Sequence, residues 1–289
     1  MLDLLSDYPA LAIAGALVFG LLVGSFLNVV ILRLPPRLQW GWERDSRELL
    51  GLESSPITAP PGIVVERSHC PKCQRQLAAW ENIPLLSYLA LRGKCRGCGV
   101  GISPQYPAVE LLTGLAFAVV VWRFGLTPQA LAALVFTAVL IAASGIDWRT
   151  TLLPDDLTLP LLWLGLGLSL VPVFALPSDA IIGAVVGYGS LWLVFWAFKL
   201  LTGKEGMGYG DFKLLAAIGA WCGVSAILPV LLMSSVVGAI LGTLAIVIQG
   251  RDRATPIPFG PYLAVAGWIQ LVSGVDLLKA YLRWAGVAD

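Results

Sequence analysis

Two aspartates, Asp147 and Asp211, each stand where a long apolar segment meets a short polar loop. They lie in Gly145-Ile146-Asp147-Trp148-Arg149 and Gly208-Tyr209-Gly210-Asp211-Phe212-Lys213. An ionisable side chain at the edge of a bilayer is costly and is a functional candidate by default. If the two carboxylates converge, like-charge repulsion keeps one of them protonated and the pair titrates as a unit. The ionised member can then take a proton from water while the protonated member polarises a scissile carbonyl, which is aspartic-protease chemistry. No covalent nucleophile is needed for this. The single histidine, His69, makes Ser-His-Asp triads and HExxH zinc sites poor candidates. Taken alone, the two aspartates are also open to ion pairing with Arg149 and Lys213 or to a place on a transport pathway.

Four cysteines form the second chemical cluster. Cys70-Pro71-Lys72-Cys73 and Cys95-Arg96-Gly97-Cys98 are two CxxC knuckles with 21 residues between them. Each turns sharply enough to present two thiolates to one ion, and four thiolates satisfy tetrahedral zinc. Iron or redox thiols share this ligand set. Four thiolates leave no open coordination position, so the zinc reading is structural rather than hydrolytic. His69 adjoins Cys70 and reads as a solvated loop residue; Cys222, beside Trp221, reads as buried packing.

Other acids have bland readings. Glu110 falls near the start of an apolar segment, where a helix dipole favours it. Asp155 and Asp156 follow Pro154, and one of them is expected to cap the next helix; a role in shaping the active site stays open for Asp155. Asp147 ends a segment, where the dipole gives an anion nothing. Asp211 follows Gly206-Met207-Gly208-Tyr209-Gly210, whose glycines permit close approach or positive φ. This turn lacks P-loop spacing.

The elements that must position these groups are membrane helices. Of the 289 residues 57% are hydrophobic and 13% charged, with mean hydropathy +0.82; a soluble chain would carry about 25% charged residues. Apolar segments fall near 10–32, 107–124, 129–146, 157–175, 180–200, 212–224, 226–248 and 258–280. The expected fold is therefore an all-α polytopic membrane protein of about eight transmembrane helices with a small four-cysteine insert. In domains, 1–32 is a first, retained helix, 33–107 the insert, and 108–289 a bundle carrying both aspartates. The loops at 33–107, 147–156, 199–213 and 249–257 hold 16 of the 19 Lys and Arg. By the positive-inside rule that side is cytoplasmic, and both aspartates fall on it. No basic tract suits nucleic acid.

These motifs together resemble the bacterial type IV prepilin peptidases, GxGD-type membrane aspartic proteases. The likeness covers nearly the whole chain. It runs from Gly24-Ser25-Phe26-Leu27-Asn28 to Arg33-Leu34-Pro35, through both knuckles and Glu81-Asn82-Ile83-Pro84 between them. It continues with Tyr106-Pro107-Ala108-Val109-Glu110, Asp147, Leu153-Pro154-Asp155, Gly208-Tyr209-Gly210-Asp211 and Pro258-Phe259-Gly260-Pro261-Tyr262. One departure is Gln105, where related chains often carry arginine.

The resemblance implies catalytic roles for Asp147 and Asp211 and a bacterial inner-membrane location with the active site facing the cytoplasm. The implied substrates are type IV prepilins and type II secretion pseudopilins, cut after a glycine that ends a short basic leader. It further implies N-methylation of the new N-terminal residue, typically phenylalanine, with S-adenosylmethionine as donor. No glycine-rich βα turn of a soluble methyltransferase is visible, so that donor must use the insert and adjoining helix ends. The alternatives are a peptidase without methyl transfer, a proton-coupled transporter, and a membrane anchor whose zinc module binds a partner. Both acids cluster near one face rather than at the midplane, which disfavours transport.

Overall fold

The computed structural model describes residues 9–53, 58–249, 258–274 and 283. Several expected features lie outside them: residues 275–280 of the last segment, Arg251 and Arg253 of the loop at 249–257, and Lys279. The described chain is built of α-helices, with no β-strand and only two isolated bridges. It divides into two compact units, Met1–Leu126 and Thr127–Asp289.

The first unit holds α1 (Pro9–Leu49), a short 3-10 turn (Ala79–Asn82), α2 (Leu86–Ala90) and α3 (Gln105–Phe124). Helix α1 runs well past the first apolar segment and through Pro35 and Pro36. Two prolines remove two N–H groups and ordinarily mark a stop. Here the loop straps the extension in place: Arg33 Nη1 donates to the carbonyls of Gly62 (2.6 Å) and Glu66 (3.0 Å), and Arg37 Nη1 to that of Pro60 (2.8 Å). Helices α1 and α3 meet through small residues. A Cβ on Gly24 would lie 2.7 Å from the Cα of Glu110, so only glycine permits the backbones to approach this closely.

The same device seats the second unit's central pair. This unit comprises α4 (Pro128–Thr150), α5 (Asp155–Ser169), α6 (Pro177–Thr202), α7 (Tyr209–Cys222), α8 (Ile227–Gln249) and α9 (Gly260–Ser273). A Cβ on Gly187 of α6 would stand 2.7 Å from the carbonyl oxygen of Leu215 in α7. Helix α7 packs against α5, α6 and α9, and Phe212, Leu214, Leu215, Ile218 and Trp221 are fully buried. A helix enclosed by neighbours need not match the bilayer thickness, which explains its 14 residues.

Eight helices, α1 and α3 to α9, fall on the eight apolar segments read from the sequence. Five stretches are long and apolar enough to cross a membrane: Pro9–Leu49, Gln105–Phe124, Pro128–Thr150, Pro177–Thr202 and Val224–Leu244. Their outer faces present Leu22, Phe26, Trp122, Leu131, Ile181 and Val185 as exposed apolar side chains. Soluble monomers rarely expose apolar surface on this scale. The chain is an all-α, multi-pass membrane protein.

Candidate active site and metal centre

In the insert, each knuckle closes on itself in the same way. The N–H of Cys70 donates to Arg75 O and that of Gln74 to Cys70 O, both at 2.9 Å. The second knuckle repeats this with Cys95 to Val100 (2.8 Å) and Gly99 to Cys95 (2.9 Å). The fifth position is left-handed in both, at φ 56° for Gln74 and 69° for Gly99. The four Sγ atoms all lie within 4.8 Å of one another, with Cys70 to Cys98 at 3.8 Å and Cys73 to Cys95 at 4.0 Å. A tetrahedron of thiolates about 2.3 Å from an ion has edges of about 3.8 Å. The four cysteines can therefore hold a metal ion.

Backbone N–H groups of Cys98 and Gly97, directed at the sulfur, pull the Cys95 thiol down to about 6, toward the thiolate that a metal requires. Glu81 braces the first knuckle. Its buried carboxylate pairs with Arg75 and accepts the N–H of Ala78 at 2.7 Å. The Arg75 guanidinium, seconded by that N–H, holds the Glu81 carboxyl below the usual range. His69 bridges its backbone to Gln76 and stands outside the sulfur cluster. Cys222 ends α7, also outside it.

Glu110 proves to be an anchor inside the first unit. It is buried in α3, accepts the N–H of Leu85 at 2.9 Å and hydrogen-bonds with Ser25 of α1. Leu85 itself adopts φ 58°, so this bond holds a strained turn between the knuckles.

Both sequence-chosen aspartates belong to the second unit, and both line one cavity of about 1010 Å³. Asp147 sits inside α4 one turn before its end, where the left-handed Thr151 closes the helix onto the Asp147 carbonyl at 2.8 Å. The unfavourable end of α4 is offset by the start of another helix. Gly260, first residue of α9, donates its N–H to Asp147 Oδ2 at 2.9 Å. Asp211 lies in the first turn of α7 rather than on the loop before it. It is buried, and its Oδ1 has no hydrogen-bond partner among the described residues. The two carboxylates are close enough for their charges to interact.

The ion pair weighed for Asp211 does not form, because Lys213 turns to Asp155, with Nζ 2.6 and 2.7 Å from its two oxygens. Nor does Asp155 or Asp156 cap α5. Pro154 occupies that position in an extended conformation, and both acids sit in the first turn, where the dipole favours them. The glycines before Asp211 serve close approach, not positive φ. A Cβ on Gly210 would lie 2.6 Å from that of Leu153, and none of Gly206, Gly208 and Gly210 has positive φ. Gly260 and Leu153 are site residues that carry no chemical signal of their own in the sequence. The Pro-Phe-Gly-Pro run at the head of a span was the available pointer to the first of them.

Between these groups the cavity is apolar, walled by Leu191, Val194, Leu228, Leu231 and Leu232, with Glu205 among its few charged residues. Such a site offers two carboxylates to a water and a peptide bond, and an apolar wall to the residues beyond that bond.

Comparison with known proteins gives matches along nearly the whole chain. Residues 18–124 match the bacterial peptidase A24 N-terminal domain, and residues 134–243 the type IV leader peptidase family. The chain is 58% identical to a prepilin leader peptidase/N-methyltransferase of Xanthomonas campestris pv. campestris over 98% of this chain and 99% of that one. Proteins of the same name from Pseudomonas aeruginosa and Neisseria gonorrhoeae are 52% and 45% identical, covering 99% and 97% of both chains. No solved structure matches.

Proposed function

This chain belongs to the type IV leader peptidase family, and we propose that it cleaves the leader from type IV prepilins and pseudopilins and then methylates the new N-terminus. The catalytic pair in this reading is Asp147 and Asp211. One observation carries it: two buried aspartates from different helices line one cavity, and one keeps a carboxylate oxygen free of any partner among the described residues. Carboxylates buried for purely structural reasons are normally saturated with donors, as Glu81 is. The apolar wall suits a substrate whose scissile bond is followed by a hydrophobic helix.

Zinc is the metal that best fits four thiolates at near-tetrahedral spacing, and Cys70, Cys73, Cys95 and Cys98 would hold it. With every position filled it supplies rigidity to an insert too small for a strong core of its own. S-adenosylmethionine, as methyl donor, supplies the methyl group for the new amine. The N-terminal unit is its natural seat, since the peptidase match begins only at residue 134. The presence of both knuckles favours methyl transfer alongside cleavage.

In the membrane, the distribution of Lys and Arg supports eight crossings of the inner membrane with both aspartates at the cytoplasmic face. The functional division is a membrane segment over 1–32, an insert over 33–107 that includes the α1 extension, and a bundle over 108–289.

The test is cleavage of a prepilin by the enzyme reconstituted in lipid. Asp147→Asn and Asp211→Asn should each lose about 10⁴-fold in rate. Normal cleavage by either variant removes that residue from the pair.

A further inference from the structure

Resting on the reading of Asp147 and Asp211 as the catalytic pair, we propose that their roles are fixed and different. Gly260 is a positioning residue that holds Asp147 as the ionised base, and Asp211 carries the proton.

The donors at the start of α9 show how. A helix start offers N–H groups that its own turn cannot use, together with the positive end of the dipole. Pro261 has no N–H, and those of Tyr262 and Leu263 close on the Phe259 carbonyl at 3.1 and 3.2 Å. The Gly260 N–H is left over and is directed at Asp147 Oδ2 across 2.9 Å, in buried surroundings. Only glycine allows this approach, since a Cβ there would lie 2.8 Å from that oxygen and 3.0 Å from a methyl of Leu153. Leu153 also abuts Gly210, next to Asp211, so one side chain lies against both the glycine that holds Asp147 and the segment that carries Asp211.

Asp211 receives nothing comparable. Its Oδ1 is buried without a partner among the described residues, and the nearby cation, Lys213, is engaged by both oxygens of Asp155. A buried carboxylate oxygen without a donor is costly when charged, whereas the neutral acid carries its own donor. With one proton between the two, hydrogen bonding to the charged form favours charge on Asp147. The proton belongs on Asp211.

The reaction then balances. Asp147 takes a proton from water as the oxygen bonds to the scissile carbon, and Asp211 gives its proton to the carbonyl oxygen, leaving a neutral gem-diol. In collapse, Asp147 returns its proton to the departing amine, the C–N bond breaks, and Asp211 recovers a proton from a diol hydroxyl. One water is consumed and both acids end as they began.

Selective esterification tests the assignment on the full-length enzyme in lipid. An epoxide is opened by a carboxylate, whereas a diazoacetyl compound esterifies a protonated acid with loss of nitrogen. Peptide mass spectrometry should place the epoxide ester on Asp147 and the diazo ester on Asp211. Gly260→Ala should lower epoxide labelling of Asp147 by about tenfold or more, since it displaces a charge-assisted bond. Because that variant can fail to fold, the wild-type distribution decides. Epoxide ester on Asp211, equal labelling of both, or none on Asp147 overturns the role assignment. If instead Asp147→Asn or Asp211→Asn cleaves normally, the catalytic reading itself fails, whatever the labels show.

Discussion

Each half of the four-cysteine site is made by a single short segment, whereas Asp147 receives its donor from a residue 113 positions away. A CxxC knuckle carries its own turn, its own hydrogen bonds and two of the four ligands. Chain closure has only to bring two finished halves together. The aspartate pair has no finished halves. It depends on the end of α4, the start of α7, the start of α9 and a leucine lodged among them. Local spacing is therefore enough to specify a four-thiolate cluster, while the aspartate pair is specified by which helix ends converge.

The two sites should accordingly fail in different ways. Gly210→Ala forces a Cβ against Leu153 and displaces Asp211. A misplacement on the order of 1 Å costs about 10²-fold in rate, so cleavage should fall by that much while metal content of the purified enzyme stays at wild-type stoichiometry. Cys70→Ser should do the reverse in character, lowering bound metal and destabilising the insert. Unchanged metal stoichiometry, measured by elemental analysis, would refute the four-thiolate assignment.

Glu81→Gln is a smaller perturbation with a distinctive pH signature. Because Arg75 holds the Glu81 carboxyl below its ordinary value, its stabilisation is fully present above the ordinary glutamate range. It is lost as pH falls through the lowered value. The melting-temperature difference between wild type and Glu81→Gln should thus be largest near neutrality and shrink in acid; a difference that grows in acid would contradict the ion pair. The smallest effect belongs to Lys213→Ala. Its partner Asp155 is 54% exposed, and solvent-screened pairs contribute about 0–1 kcal/mol. Stability measured by thermal unfolding should change within that range.

Legibility in the sequence divides along the same line. The helices and both knuckles could be read because each is a local pattern: apolar length and CxxC spacing. The α1 extension could not, because Pro35 and Pro36 mark a stop unless Arg33 and Arg37 are known to strap the loop against the helix. Asp155 looked like a cap because its partner, Lys213, lies 58 positions away. The two aspartates themselves were visible from their position at segment ends. What made Asp147 tolerable at a helix C-terminus was not, since the compensating N–H belongs to a different helix. Gly260 stood in plain view in Pro258-Phe259-Gly260-Pro261 with no local feature to show what it approaches.

The most direct test of the catalytic pair compares two activities in the same preparations. Asp147→Asn and Asp211→Asn, reconstituted in lipid, are assayed for prepilin cleavage and for methyl transfer to a substrate already cleaved. Cleavage should fall by about 10⁴-fold in each, with methyl transfer and metal content retained. Cleavage at the wild-type rate in either variant would contradict the pair.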